Sequence, residues 1–161
     1  MNRRIFSKLL STSLFGFFIN KTVQANEEPN YDVKLVEEDK TSYYKSIDGV
    51  HKLHRLDGPA VERTDGTKEW YQSGQRHRLD GPAIEYTSGK KEWYQNGQRH
   101  RLDGPAVEYA SGSKEWFQKG QRHRLDGPAI ESANGDKYWC QNGLLVSKWS
   151  ACFLKRSNLI N

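Results

Sequence analysis

Four histidines at one spacing are the first residues with chemical potential: His54, His77, His100 and His123 recur every 23 residues. A histidine column suggests metal ligation, but the spacing opposes it. Two strands per unit at about 4.8 Å each would set successive imidazoles roughly 10 Å apart. The ligands of one zinc each lie roughly 2.0–2.1 Å from the metal. His51 and His54 could approach one another, yet no Cys or acid completes a set. The reading is no metal site and no cofactor.

Arginines and aromatics follow the same period. Arg55, Arg78, Arg101 and Arg124 each stand two residues before an Asp, in His-Arg-Leu-Asp-Gly-Pro. Their structural role would be to pair with that Asp or the neighbouring Glu, with Leu56, Leu79, Leu102 and Leu125 tucked inward. Their functional role would be a ladder of donors for an anionic polymer, a glycan or a phospholipid surface. Trp70, Trp93, Trp116 and Trp139 form one aromatic column, and Tyr71, Tyr94 and Phe117 a second. Adjacent strand residues face opposite ways, so one column can pack while the other meets solvent. The candidate binding surface is therefore these aromatics together with Arg78, Arg101 and Arg124. Cys140 and Cys152 are the only cysteines. In an oxidising compartment they would pair, closing a loop of about 12 residues worth roughly 3 kcal/mol. Alternatively Cys140 is a small buried filler, since it takes the column place of Tyr94 and Phe117.

The elements that must position these side chains are four tandem units. His-Arg-Leu-Asp-Gly-Pro-Ala appears at His54–Ala60, His77–Ala83, His100–Ala106 and His123–Ala129. Each unit reads as a β-hairpin. Ala60-Val-Glu-Arg63 is a strand, Asp65-Gly66 a turn, and Lys68-Glu-Trp-Tyr-Gln72 the return strand, with a second turn at Ser73-Gly74. Two registers are open. A two-residue loop sets Val61 opposite Trp70 but Glu62 opposite Glu69. A three-residue loop with a glycine bulge sets Glu62 opposite Lys68, which the charges favour. Asp32–Val36 and Ser42–Ser46 read as a degenerate capping hairpin, with Asp48-Gly49 its turn into His51-Lys-Leu-His54. Beyond Leu144 the pattern breaks, and Ser147 could cap a short helix from Lys148 to about Leu154.

The 161 residues carry a formal charge of +5, a mean hydropathy of −0.92 and 35% hydrophobic residues, with five Trp. So lean a composition excludes a thick two-layer core and suits a thin sheet packed by aromatics. Residues 1–25 hold Arg3, Arg4, Lys8 and Lys21 and no acid; without those four the chain has 21 basic and 20 acidic residues. The basic excess belongs to this leader, which argues against a nucleic-acid partner. The leader reads as a cleavable export signal ending in Val23-Gln24-Ala25. Arg3-Arg4-Ile5-Phe6-Ser7-Lys8 resembles a twin-arginine motif, although Asn2 and Ser7 depart from it.

Gly74-Gln-Arg-His77, then Gly-Pro-Ala-Val, Glu, Asp/Ser-Gly, Lys and Glu-Trp-Tyr, resembles the MORN repeat, in a variant with Gly-Pro-Ala replacing Gly-x-Gly. The resemblance covers roughly residues 50–145. It implies one continuous antiparallel sheet of stacked hairpins, used for protein association or membrane apposition, with no catalytic residues. Some variant-repeat proteins resemble antitoxins.

The expectation is an all-β chain: a single elongated antiparallel sheet of 23-residue hairpins with a short C-terminal helical cap. Residues 1–25 are the export signal, 26–53 the N-terminal cap, 54–145 the four repeats and 146–161 the C-terminal cap. The expected function is that of an exported, periplasmic, non-enzymatic scaffold for a protein or envelope polymer, with a membrane surface a further candidate. Four equivalent surfaces lack the single asymmetric constellation that catalysis needs. The alternative is a periplasmic immunity protein that neutralises a toxin. The oligomeric state is not fixed by the sequence.

Overall fold

Two turns per repeat decide the architecture. In the first, the Gly66 N–H donates to the Arg63 carbonyl at 2.9 Å, with Gly66 at φ +87°. That is a three-residue loop closed by a glycine bulge. It sets Glu62 opposite Lys68 and Val61 opposite Glu69. The same register recurs as Glu85 with Lys91, Glu108 with Lys114 and Glu131 with Lys137. Of the two registers open to the sequence, the one that brings opposite charges face to face is formed. The second turn is a two-residue loop, Ser73 at φ +51° and Gly74 at φ +82°, with Gln72 opposite Gln75. Both central residues take positive φ, the geometry whose twist matches flanking antiparallel strands.

The computed structural model describes residues 31–149, all strand, turn and loop. The leader at 1–25 and Cys152 lie outside the described residues.

The return strand is not continuous. Trp70 donates its N–H to Ala83 O of the next repeat at 2.8 Å, yet its carbonyl accepts from His77 N of its own hairpin at 3.1 Å. The chain thus changes ladder at each Trp. Strands such as Val61–Arg63 and Lys68–Glu69 join a 12-stranded antiparallel sheet. Beyond the Trp, Tyr71–Gln72 pairs only with Gln75–Arg76, and two further hairpins repeat this arrangement. The hairpins are linked in turn: Gly97 N donates to Arg76 O at 3.0 Å, and Arg78 N to Tyr94 O at 3.2 Å. The expected large antiparallel sheet is formed, eleven strands in line with Val50–Leu53 off that line, and beside it runs a row of three stitched two-stranded hairpins.

Longer strands close the ends. Lys40–Ile47 pairs with both Val50–Leu53 and Val61–Arg63, so it spans the two rows, and Val33–Val36 lies along its outer edge. At the far end Lys137–Gln141 pairs with Leu144–Trp149. Lys148 and Trp149 lie in that last strand, so the helix expected from Lys148 does not start there; its remaining residues lie outside the described ones. The exposed edge of Lys137–Gln141 offers a row of backbone groups, which a strand satisfies and a costly isolated helical nucleus does not.

The core is thin. Ala60, Ala83, Ala106 and Ala129 have no exposed surface. Ala83 and Ile84 pack with Tyr94, and Ala106 and Val107 with Phe117.

Candidate functional site: a ladder of tryptophan clefts

The His-Arg-Leu-Asp-Gly-Pro bend is built around its arginine. The Arg78 guanidinium stacks on Trp70 of the preceding hairpin, 4.0 Å from the ring centroid. Its Nε donates to Asp80 at 3.1 Å, and its Nη1 to the Pro82 carbonyl at 3.2 Å and to Glu85 at 3.0 Å. Arg101 over Trp93 and Arg124 over Trp116 repeat the arrangement at 4.2 and 4.1 Å, and Arg55 stacks on Tyr43 of the cap. Gly81 is required because the guanidinium fills the bend: a Cβ there would lie 2.9 Å from Arg78 Cζ. Each guanidinium so held pairs with both an Asp and a Glu, the role expected of it in the bend.

Because Arg occupies the inside of the bend, Leu cannot. Leu56, Leu79, Leu102 and Leu125 were expected to tuck inward; they are instead 59%, 76%, 75% and 75% exposed. No strand alternation governs a loop residue, so parity gave no warning of this. An exposed leucine in every repeat is informative, since large apolar side chains left in solvent in a row mark contact surfaces.

Between successive bends lie three equivalent open clefts of about 530, 530 and 500 Å³. Trp70, Trp93 and Trp116 line one each. The first cleft is completed by Leu56, Pro59, Gln72, His77, Arg78 and Leu79, and the others by their counterparts. Trp139, in the last hairpin, lies opposite Ser147, the position where a further repeat would place its Arg.

The second aromatic column faces the other way. Tyr94 and Phe117 are buried and Tyr71 is half-buried, so this column packs and leaves the candidate binding surface. Cys140 is likewise buried in its column place. The cysteine pairing cannot be placed, because Cys152 is outside the described residues.

Beneath Tyr71 and Tyr94 runs a column of carboxylates, buried at Glu69 and Glu92 and partly exposed at Glu115, that sequence reasoning passed over. Glu69 accepts from Arg63 at 2.8 Å, Arg76 at 3.1 Å and the Tyr71 hydroxyl at 2.9 Å. Glu92 accepts from Tyr94 at 2.7 Å and Arg99 at 3.1 Å, and pairs with Lys90. Glu115 accepts from Tyr109 and Arg122, both at 2.9 Å. Burial pushes the Glu92 carboxyl up, but the hydrogen bonds from Lys90 and Tyr94 and the charge of Arg99 outweigh it and hold the carboxyl below its ordinary value. The Tyr71 phenol is pushed up to about 12, by burial and by its hydrogen bond to Glu69. The signal in the sequence was alternation: in Lys68-Glu-Trp-Tyr-Gln72, Glu69 shares a face with Tyr71, opposite to Trp70.

The histidines are committed to the fold. Backbone N–H groups of Ser73, Asn96, Lys119 and Asn142 donate to Nδ1 of His54, His77, His100 and His123 at 3.1–3.2 Å. Each imidazole therefore holds the second turn of its own unit, 19 residues on. In the ladder considered for an anionic polymer, the guanidiniums are thus already engaged on carboxylates, and each imidazole Nδ1 accepts from a backbone N–H. No family model matches the chain, and no curated protein matches it.

Proposed function

We propose that the protein is a non-enzymatic recognition scaffold whose contact surface is the ladder of tryptophan clefts rimmed by exposed leucines. The observation that carries this reading is the leucine column. Four large apolar side chains are held in solvent at one spacing by bends whose interiors are filled by arginine. Leaving a leucine in water forgoes about 1.5–3 kcal/mol of burial free energy, which a partner can recover. The clefts present the same groups three times over, as a repeated recognition surface would. The favoured partner is a protein, because a leucine column recovers more burial free energy against apolar side chains than against a hydroxyl-rich polymer. Export through the leader and kinship with MORN-type repeats belong to the same proposal and rest on the sequence.

The test is capture from an envelope extract by the full chain, compared with the variant Leu79→Ser/Leu102→Ser/Leu125→Ser. These side chains are solvent-exposed, so circular dichroism should be unchanged. Loss of a specific captured protein with the triple variant supports the reading. Equal capture by both forms refutes the leucine face as the contact surface.

A further inference from the structure

The spacing and charge of the clefts narrow the kind of partner. Two strands per repeat at about 4.8 Å set neighbouring clefts roughly 9.6 Å apart. A polyproline II segment has three residues per turn at about 3.1 Å each, so it returns a side chain to the same face every 9.3 Å or so. A β-strand peptide does so at about 6.6–6.8 Å and would fall out of step by the second cleft. Resting on the reading of the clefts as the contact surface, the geometry points to a proline-rich, uncharged segment of a partner protein, bound as a polyproline II helix with apolar side chains at every third position.

Charge is compatible with the same occupant. The first cleft is lined by Arg55 and Arg78 against Asp57 and Asp80, so its charged groups balance one another. An uncharged peptide leaves those pairs intact and meets no net repulsion. The chemistry of the lining also fits. Aromatic-lined grooves seat proline-rich ligands because the ligand is already ordered and loses little entropy on docking. Trp70 and Pro59 supply apolar walls, while Gln72, whose side-chain amide donates, can meet the exposed carbonyls of such a segment.

The experiment is calorimetric titration of the full chain with synthetic peptides made of Pro-Pro-Leu triplets flanked by lysine. Controls are a peptide with a single Leu and a permuted peptide of identical composition with its leucines adjacent. The in-step peptide should bind about a hundredfold tighter than the single-Leu peptide, each further anchor contributing about tenfold. Leu79→Ser should remove most of that gain. Equal binding of in-step and permuted peptides overturns the assignment, as does tighter binding of a neutral oligosaccharide or of a phosphatidylglycerol vesicle. If the triple leucine variant loses its captured partner while peptide register has no effect, the clefts stand as a contact surface and the polyproline II ligand falls.

Discussion

Replacing Glu92 with alanine should destabilise the protein by about 3 kcal/mol, the low end of the cost of stranding one half of a buried ion pair. Glu92 is 2% exposed and gathers Lys90, Tyr86, Tyr94 and Arg99 on one carboxylate. The low end applies because the Arg99 and Lys90 side chains keep 37% and 27% of their surface in water and can be resolvated. The Tyr94 hydroxyl sits in the core and loses its acceptor, which accounts for about 1–3 kcal/mol by itself. Glu115 offers an internal comparison. Its side chain is 13% exposed and its ionic partner Arg122 is 47% exposed, so Glu115→Ala should cost only about 1–2 kcal/mol. Glu92→Leu should recover part of the loss, since an apolar side chain of similar volume needs no partner. Urea unfolding followed by tryptophan fluorescence reads the series. With a slope of about 1–3 kcal/mol/M, the midpoint should fall by about 1–3 M for Glu92→Ala and by less for Glu115→Ala. If Glu115→Ala costs as much as Glu92→Ala, or Glu92→Ala stays within experimental error of wild type, burial and partner count do not set the worth of this column.

Other outcomes follow from single features. Lys119 sits at φ +49° in a turn where two sibling repeats place asparagine, so Lys119→Asn should stabilise by about 0.5–1 kcal/mol, read as a raised Tm. Gly81→Ala should cost about 1–2 kcal/mol by driving Arg78 off Trp70 and its carboxylates, and should become nearly neutral in an Arg78→Ala background. Acid should weaken the fold in two stages, measured as urea midpoints against pH. Burial and then Lys45 hold the His54 imidazole below its ordinary value of 6.5, against the opposing pull of Asp32. A lowered folded value means that its stabilisation is complete above about pH 6.5 and is lost as pH falls through the folded value. Glu69 and Glu92, also held below their ordinary value of 4.5, follow at lower pH by the same sign. The first stage should be absent in His54→Gln.

The sequence by itself determined the repeat and its turns. A 23-residue period and glycine at both turns are local rules; they left two hairpin registers open, of which the Glu-Lys pairing favoured the one formed. Where the repeat lapses was legible, since Tyr138 stands where Glu69, Glu92 and Glu115 stood and Ser147 where Arg124 and its siblings stood, but the strand that closes it was not. Only the tertiary structure decided which residue fills each bend, and so whether Arg or Leu faces solvent. That choice turns on close packing of a guanidinium against a glycine and on the neighbouring repeat's Trp, contacts between units that no single unit encodes. The change of ladder at Trp70 and the last strand at Leu144–Trp149 have the same origin. Backbone groups there choose partners by what lies beside them in space, and the neighbour decides.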